Sequence, residues 1–152
     1  MKIVMERLEN KKGNLPKKGV ATWDVRAREL FYRTMNEIPR EKYKIKNIFV
    51  EGQNPFPGDK GKIFNSKLYP DAIIEFEDGQ RIAIELDNGD HGSRIKNALA
   101  KAGMLKLVGG FHKVVVFFFT YGALEGFKPT QEKEQKVLEF YQENFSTWLF
   151  LV

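Results

Sequence analysis

Residues 113 to 121 read Lys-Val-Val-Val-Phe-Phe-Phe-Thr-Tyr, an unbroken apolar run fenced by Gly110 and Gly122. A strand with one wet face alternates polar and apolar residues; a run without alternation needs cover on both faces. That requirement selects a layered α/β fold with this strand at the centre of a sheet. The segment before it, from about Ser93 to Val108, has a helical apolar stripe of Ile95, Leu99, Ala102, Met104 and Leu105, closed by Gly109-Gly110. A helix between two strands predicts a parallel crossover, here joining the central strand to the strand at Arg81–Asp87. Ligands gather at the carboxyl ends of such parallel strands, where Glu85, Asp87 and Tyr121 are expected to emerge.

The second constraint is the hairpin just upstream. Tyr69-Pro70-Asp71-Ala72-Ile73-Ile74-Glu75-Phe76 and Gln80-Arg81-Ile82-Ala83-Ile84-Glu85-Leu86-Asp87-Asn88 flank Glu77-Asp78-Gly79. Asp-Gly between β-branched runs marks a tight turn. A two-residue loop would set Asp71 beside Leu86. A three-residue loop closed by a left-handed Gly79 pairs Phe76 with Gln80, Glu75 with Arg81 and Asp71 with Glu85, and this is the register expected. Glu85 and Asp87 share a strand face, with Ile82, Ile84 and Leu86 on the other. Three carboxylates brought together repel, so a cation must neutralise them or one must stay protonated. Hard oxygen ligands favour Mg²⁺ or Mn²⁺.

Pro70-Asp71, a hairpin and Glu85-Leu86-Asp87 together resemble the PD-(D/E)xK nuclease superfamily, over roughly Arg26 to Tyr121 as an order of elements. Asp87 stands where that family has Lys. The Glu85-x-Asp87-x-Gly89 pattern is also similar to the plasmid replication-relaxation proteins. The resemblance implies a restriction-endonuclease-like three-layer α/β core, with a mixed sheet of four to five strands. It implies a Mg²⁺- or Mn²⁺-dependent deoxyribonuclease acting on double-stranded or branched DNA. Asp71 and Glu85 would be metal ligands, with Asp87 and the Leu86 carbonyl as further ligands. It implies that a Glu of the first helix, here Glu29, approaches the metal, and that the missing cation sits on the helix after the hairpin. Lys96, one turn into that helix, is the first choice and Arg94 the second. A catalytically inactive DNA-binding protein on the same fold is the alternative reading.

The rest of the chain is consistent with this order of elements. Thr22 or Asp24 can cap a first helix running to about Glu37 and ending at Pro39, with Leu30, Phe31, Met35 and Ile38 inward. Glu29 equally suits a surface pair with Arg26 or Arg33. Tyr43 to Val50 reads as a strand. The long loop from Glu51 to Lys67 carries Lys60, Lys62 and Lys67, suited to phosphates, as are Arg94 and Lys101 on the outside of the second helix. Its aromatics Phe56 and Phe64 can stack on a base, but are expected to tuck onto the sheet instead. Asp90 and His91 follow the acid cluster, His91 as a candidate proton shuttle. Gln131 to about Ser146 is a last helix. The final Thr147-Trp148-Leu149-Phe150-Leu151-Val152 must pack on the core, add an edge strand or meet another subunit, so a homodimer is an open expectation.

With 152 residues, a basic arm over residues 1–18 and one domain over 19–152 are expected. The net charge of +5 suits a polyanionic partner. The absence of Cys excludes disulfides and thiolate zinc sites. No apolar run is long enough to cross a bilayer as a helix and no signal-peptide pattern opens the chain, so a cytoplasmic protein is the expectation.

Overall fold

The computed structural model describes residue 6 and residues 20–52, 62–64, 66–89, 91–120 and 131–152. Helix α1 (Val20–Asn36) is followed by a single 3₁₀ turn (Glu41–Tyr43) and strand β1 (Ile45–Val50). A small hairpin, β2 (Lys62–Ile63) and β3 (Ser66–Lys67), precedes β4 (Ala72–Phe76) and β5 (Arg81–Gly89). Then come α2 (Gly92–Gly109), β6 (Lys113–Thr120), α3 (Glu132–Phe145) and β7 (Thr147–Leu151). The main sheet has five strands in the order β1-β4-β5-β6-β7. Its first two pairings, β1/β4 and β4/β5, are antiparallel, and its last two, β5/β6 and β6/β7, are parallel. This is the α/β class expected, a mixed sheet between helical layers.

The two faces of the sheet are read directly from strand alternation. Ala72, Ile74, Ile82, Ile84, Leu86, Val115, Phe117 and Phe119 meet Ala27, Phe31 and Met35 of α1. Ile73, Ala83, Val114, Val116 and Phe118 meet Ala98, Ala102 and Leu105 of α2. Strand β6 thus buries a side chain on both faces at every position from Val114 to Thr120, as its composition required. Helix α3 lies beside α2, where Gly103 lets Tyr141 approach to 3.4 Å of the point a Cβ would occupy.

The β4–β5 turn has the bulged register. The Phe76 N–H donates to the Gln80 carbonyl at 2.9 Å, the Gly79 N–H donates to the Phe76 carbonyl at 3.0 Å, and Gly79 has φ +83°. Only a residue without Cβ holds that left-handed position cheaply. The Gln80 N–H also donates to Asp78 Oδ1 at 2.9 Å, which fixes the acid-glycine turn. Glu75 pairs with Arg81 and Ala72 with Ile84.

Several boundaries differ from the sequence reading. Helix α1 starts at Val20, so Thr22 and Asp24 fall inside it rather than capping it. Residues 41–43 form the 3₁₀ turn, which shortens β1 at its start. Helix α2 starts at Gly92 with His91 in the N-cap position, which makes no side-chain capping bond. The apolar tail becomes an edge strand parallel to β6, and Val152 bonds to Phe118 and Thr120 through its backbone. The tail is therefore used within the chain and gives no reason of its own for a second subunit. Among the described residues, no helix is long and apolar enough to cross a membrane. The basic arm apart from Glu6, and Phe56, Lys60, Asp90 and Tyr121, lie outside the described residues.

Candidate functional site

Strand β4 begins only at Ala72, because Pro70 before it has no N–H to extend the ladder. The register that pairs Ala72 with Ile84 sets Leu86 opposite Pro70 and Asp71 opposite Glu85. The Leu86 N–H is buried and needs an acceptor. Asp71 supplies it: Oδ2 accepts that N–H at 2.7 Å. Its other oxygen, Oδ1, takes Arg28 Nη1 at 3.2 Å, so an arginine of α1 reaches a carboxylate at the end of the hairpin. The Pro-Asp pair thus has a structural job, in which one residue ends the strand and the next closes it with its side chain.

Glu85 lies in mid-strand, on the α2 face, and is only 3% exposed. Lys101 Nζ donates to its Oε2 at 2.6 Å. Oε1 is buried and has no hydrogen-bond partner. Burial first, and the neighbouring Asp71 carboxylate second, push the Glu85 carboxyl up to about 8, while Lys101 pulls it down. Asp87, two residues on and half-buried, accepts the Asn88 N–H at 2.8 Å. Burial raises its pKa as well; that backbone bond, Arg94 and Lys101 oppose the rise. Three acids and three cations, Arg28, Arg94 and Lys101, are therefore interleaved at one end of the hairpin.

Helix geometry explains which basic residues take part. Lys96 and Lys101 are five residues apart, or about 140° around the helix. Lys101 faces β5, whereas exposed Lys96 lines a groove of about 470 Å³ between α2 and α3, with Ile95, Leu99, Val137 and Leu149. The cation at the acid cluster is thus Lys101, not Lys96. Arg94 shares the Lys101 face, seven residues earlier. It lies over Gly89, where an added Cβ would come within 2.9 Å of Arg94 Cγ. A glycine two residues after Asp87 is what lets Arg94 sit there.

On α1 the correction is similar. Glu29 is exposed, and its neighbour Arg28, about 100° away around the helix, is the residue that touches the cluster. Sequence reasoning missed Arg28; its place one position before Glu29, on the rim of the same apolar stripe, was the available signal. His91 is exposed at the start of α2. Lys62 and Lys67 are backbone partners in the β2–β3 ladder. Phe64, expected to tuck inward, stands 93% exposed at the tip of that hairpin.

The donor atoms of the site are hard oxygens, and the orphaned Oε1 of Glu85 is a buried acceptor that a cation would satisfy. Both oxygens of Asp71 are already engaged, and among the described residues no three His, Cys, Asp or Glu side chains converge as a ready metal cage. The donor set fits in kind, with Arg28 as the group that would have to yield.

Comparison with protein-family models, with curated proteins and with solved structures finds no match for this chain.

Proposed function

We propose that the protein is a metal-dependent nuclease of the PD-(D/E)xK type, acting on DNA phosphodiester bonds, in which Lys101 stands in for the lysine replaced by Asp87. The observation that carries this reading is the buried Glu85 carboxylate, with Lys101 on one oxygen, no partner on the other and Asp71 opposite it across the hairpin. A buried, unsatisfied acid beside other acids is costly to a fold, and such arrangements concentrate where chemistry needs them.

Asp71 and Glu85 would hold Mg²⁺ or Mn²⁺, with Asp87 and the Leu86 carbonyl as further oxygen donors. The chemistry such an ion supplies, once bound, is polarisation of a phosphoryl oxygen and acidification of water. Lys101 draws Glu85 toward its anionic form against the effect of burial and, with its side chain 38% exposed, presents an ammonium group at the surface of the site. Asp87 is placed to accept a proton, its raised pKa bringing it closer to neutrality. Arg28 and Arg94 bring positive charge to the same rim, suited to phosphates. By resemblance to the family, the product carries a 5′-phosphate.

The test is cleavage of supercoiled plasmid, branched DNA and single strands, each with Mg²⁺, Mn²⁺ or a chelator. Cation-dependent nicking that Asp71→Ala and Glu85→Gln both abolish supports the reading. Equal cutting by Asp71→Ala ends it.

One observation favours a second reading. Asp71 is fully satisfied by Arg28 and the Leu86 N–H without any metal. A DNA-binding protein that keeps the fold but not the chemistry would show salt-steep binding and no cation-dependent cutting.

A further inference from the structure

Phe64, at the tip of the β2–β3 hairpin, has two features that work against the free protein. Phe64 is 93% exposed, so its ring adds nothing to the core. Its φ of +50° is in the left-handed region, where a bulky side chain is strained and Gly or Asn is usual. A fold seeking only stability would discard both. A strand of nucleic acid with unpaired bases makes use of such a ring, because it offers π-faces to stack on it and phosphates for Lys62 and Lys67, which flank Phe64 in the sequence.

The hairpin is also tethered to the site. Leu68, the residue after β3, packs against the α2-side core, and Pro70 and Asp71 are buried. Asp71 lies seven residue steps beyond Phe64, a reach of at most about 25 Å. At about 3.4 Å per nucleotide step, the ring lies within some seven nucleotides of the acid cluster.

We propose that this hairpin is a base-stacking prong, with Phe64 stacking on an unpaired nucleobase and Lys62 and Lys67 drawing in the flanking phosphates. This rests on the nucleic-acid reading of the site and names its substrate class: strands with unpaired bases, as in single-stranded, gapped or branched DNA, rather than intact duplex.

The experiment measures binding, in chelator, of labelled oligodeoxythymidylate and of an abasic oligomer with the same phosphates. The proteins are wild type, Phe64→Gly and Phe64→Trp. Wild type should favour the base-bearing strand by roughly 5- to 150-fold, the worth of one stacked base. Phe64→Gly should lose that preference and keep the abasic affinity. It relieves the strained φ, so its thermal midpoint should equal or exceed that of wild type. Phe64→Trp should keep the preference and show base-dependent quenching beyond that of wild type. A wild type that binds both oligomers equally, or a Phe64→Gly variant that keeps the preference, overturns the proposal. So does Phe64-dependent binding to anionic vesicles without binding to either oligomer. Stacking without cation-dependent cutting would sink the nuclease reading alone; cutting without base preference would sink the prong alone.

Discussion

Lys101 Nζ lies 2.6 Å from Glu85 Oε2, bridging from the third turn of α2 to the middle of β5. The ion pair joins a partly exposed ammonium to a carboxylate that is almost fully buried. Because the two partners differ so much in exposure, the functional consequence of losing one differs from that of losing the other.

Lys101→Met should lower cation-dependent cleavage by about 10²- to 10³-fold, the range for removing one aligned charged donor from a reacting centre. Lys96→Met, on the far side of the same helix, should leave the rate within error of wild type. Single-turnover plasmid nicking by the two variants, side by side, is the measurement. Equal losses would mean that the lysines act through general DNA attraction.

Asp71→Ala should cost about 1–3 kcal/mol in urea unfolding, because it leaves the buried Leu86 N–H without an acceptor. Asp71→Asn keeps an oxygen for that N–H and should cost less, while losing the Arg28 ion pair and cleavage alike. A fully stable Asp71→Ala would show that the strand end is held by something else.

Glu85 gives a pH signature. Its folded pKa, about 8, is above the unfolded value near 4.5, so between those values the native state holds the extra proton. The stability it contributes is fully present below about pH 4.5 and is lost as pH rises through about 8. Glu85→Gln removes the titration, so its stability relative to wild type should climb from pH 5 to pH 9. Chemical denaturation across that range is the check, and a flat difference would contradict it.

A divalent cation should compete with that proton. Added Mn²⁺ or Mg²⁺ at pH 7 should raise the thermal midpoint, by about 2.7 kcal/mol of stability at a hundredfold excess over Kd, and release protons from Glu85. Asp71→Ala and Glu85→Gln should abolish both effects. Calorimetry in two buffers of different ionisation enthalpy counts the protons; no uptake of metal by wild type would leave only the binding-protein reading.

The sheet and the hairpin register were legible because both rest on short-range rules. An apolar run without alternation needs two covered faces, and Glu77-Asp78-Gly79 permits few turns. The pairing of Asp71 with Glu85 followed by counting. What stayed hidden was the rotation of helices about their axes. Lys96 and Lys101, or Arg28 and Glu29, are equally plausible by spacing until the apolar stripe is docked. On α2 the stripe that docks against the sheet runs through Ala98, Ala102 and Leu105, and Ala98 is the small residue that a search for large side chains passes over. The exposure of Phe64 was likewise invisible, since composition predicts that an aromatic in a lysine-rich loop will find cover.

Strand β6 also dictates the order in which this chain can safely be made. Its Phe117, Phe118 and Phe119 are fully buried, yet β7, its neighbour on one edge, is synthesised some thirty residues later, after α3. Until then a nascent chain on the ribosome displays an apolar ribbon with open backbone groups, the kind of surface that chaperones hold and aggregates recruit. Changes in Trp148 to Leu151 should accordingly appear first as poor yield in cells, before any loss of activity in the molecules that do fold.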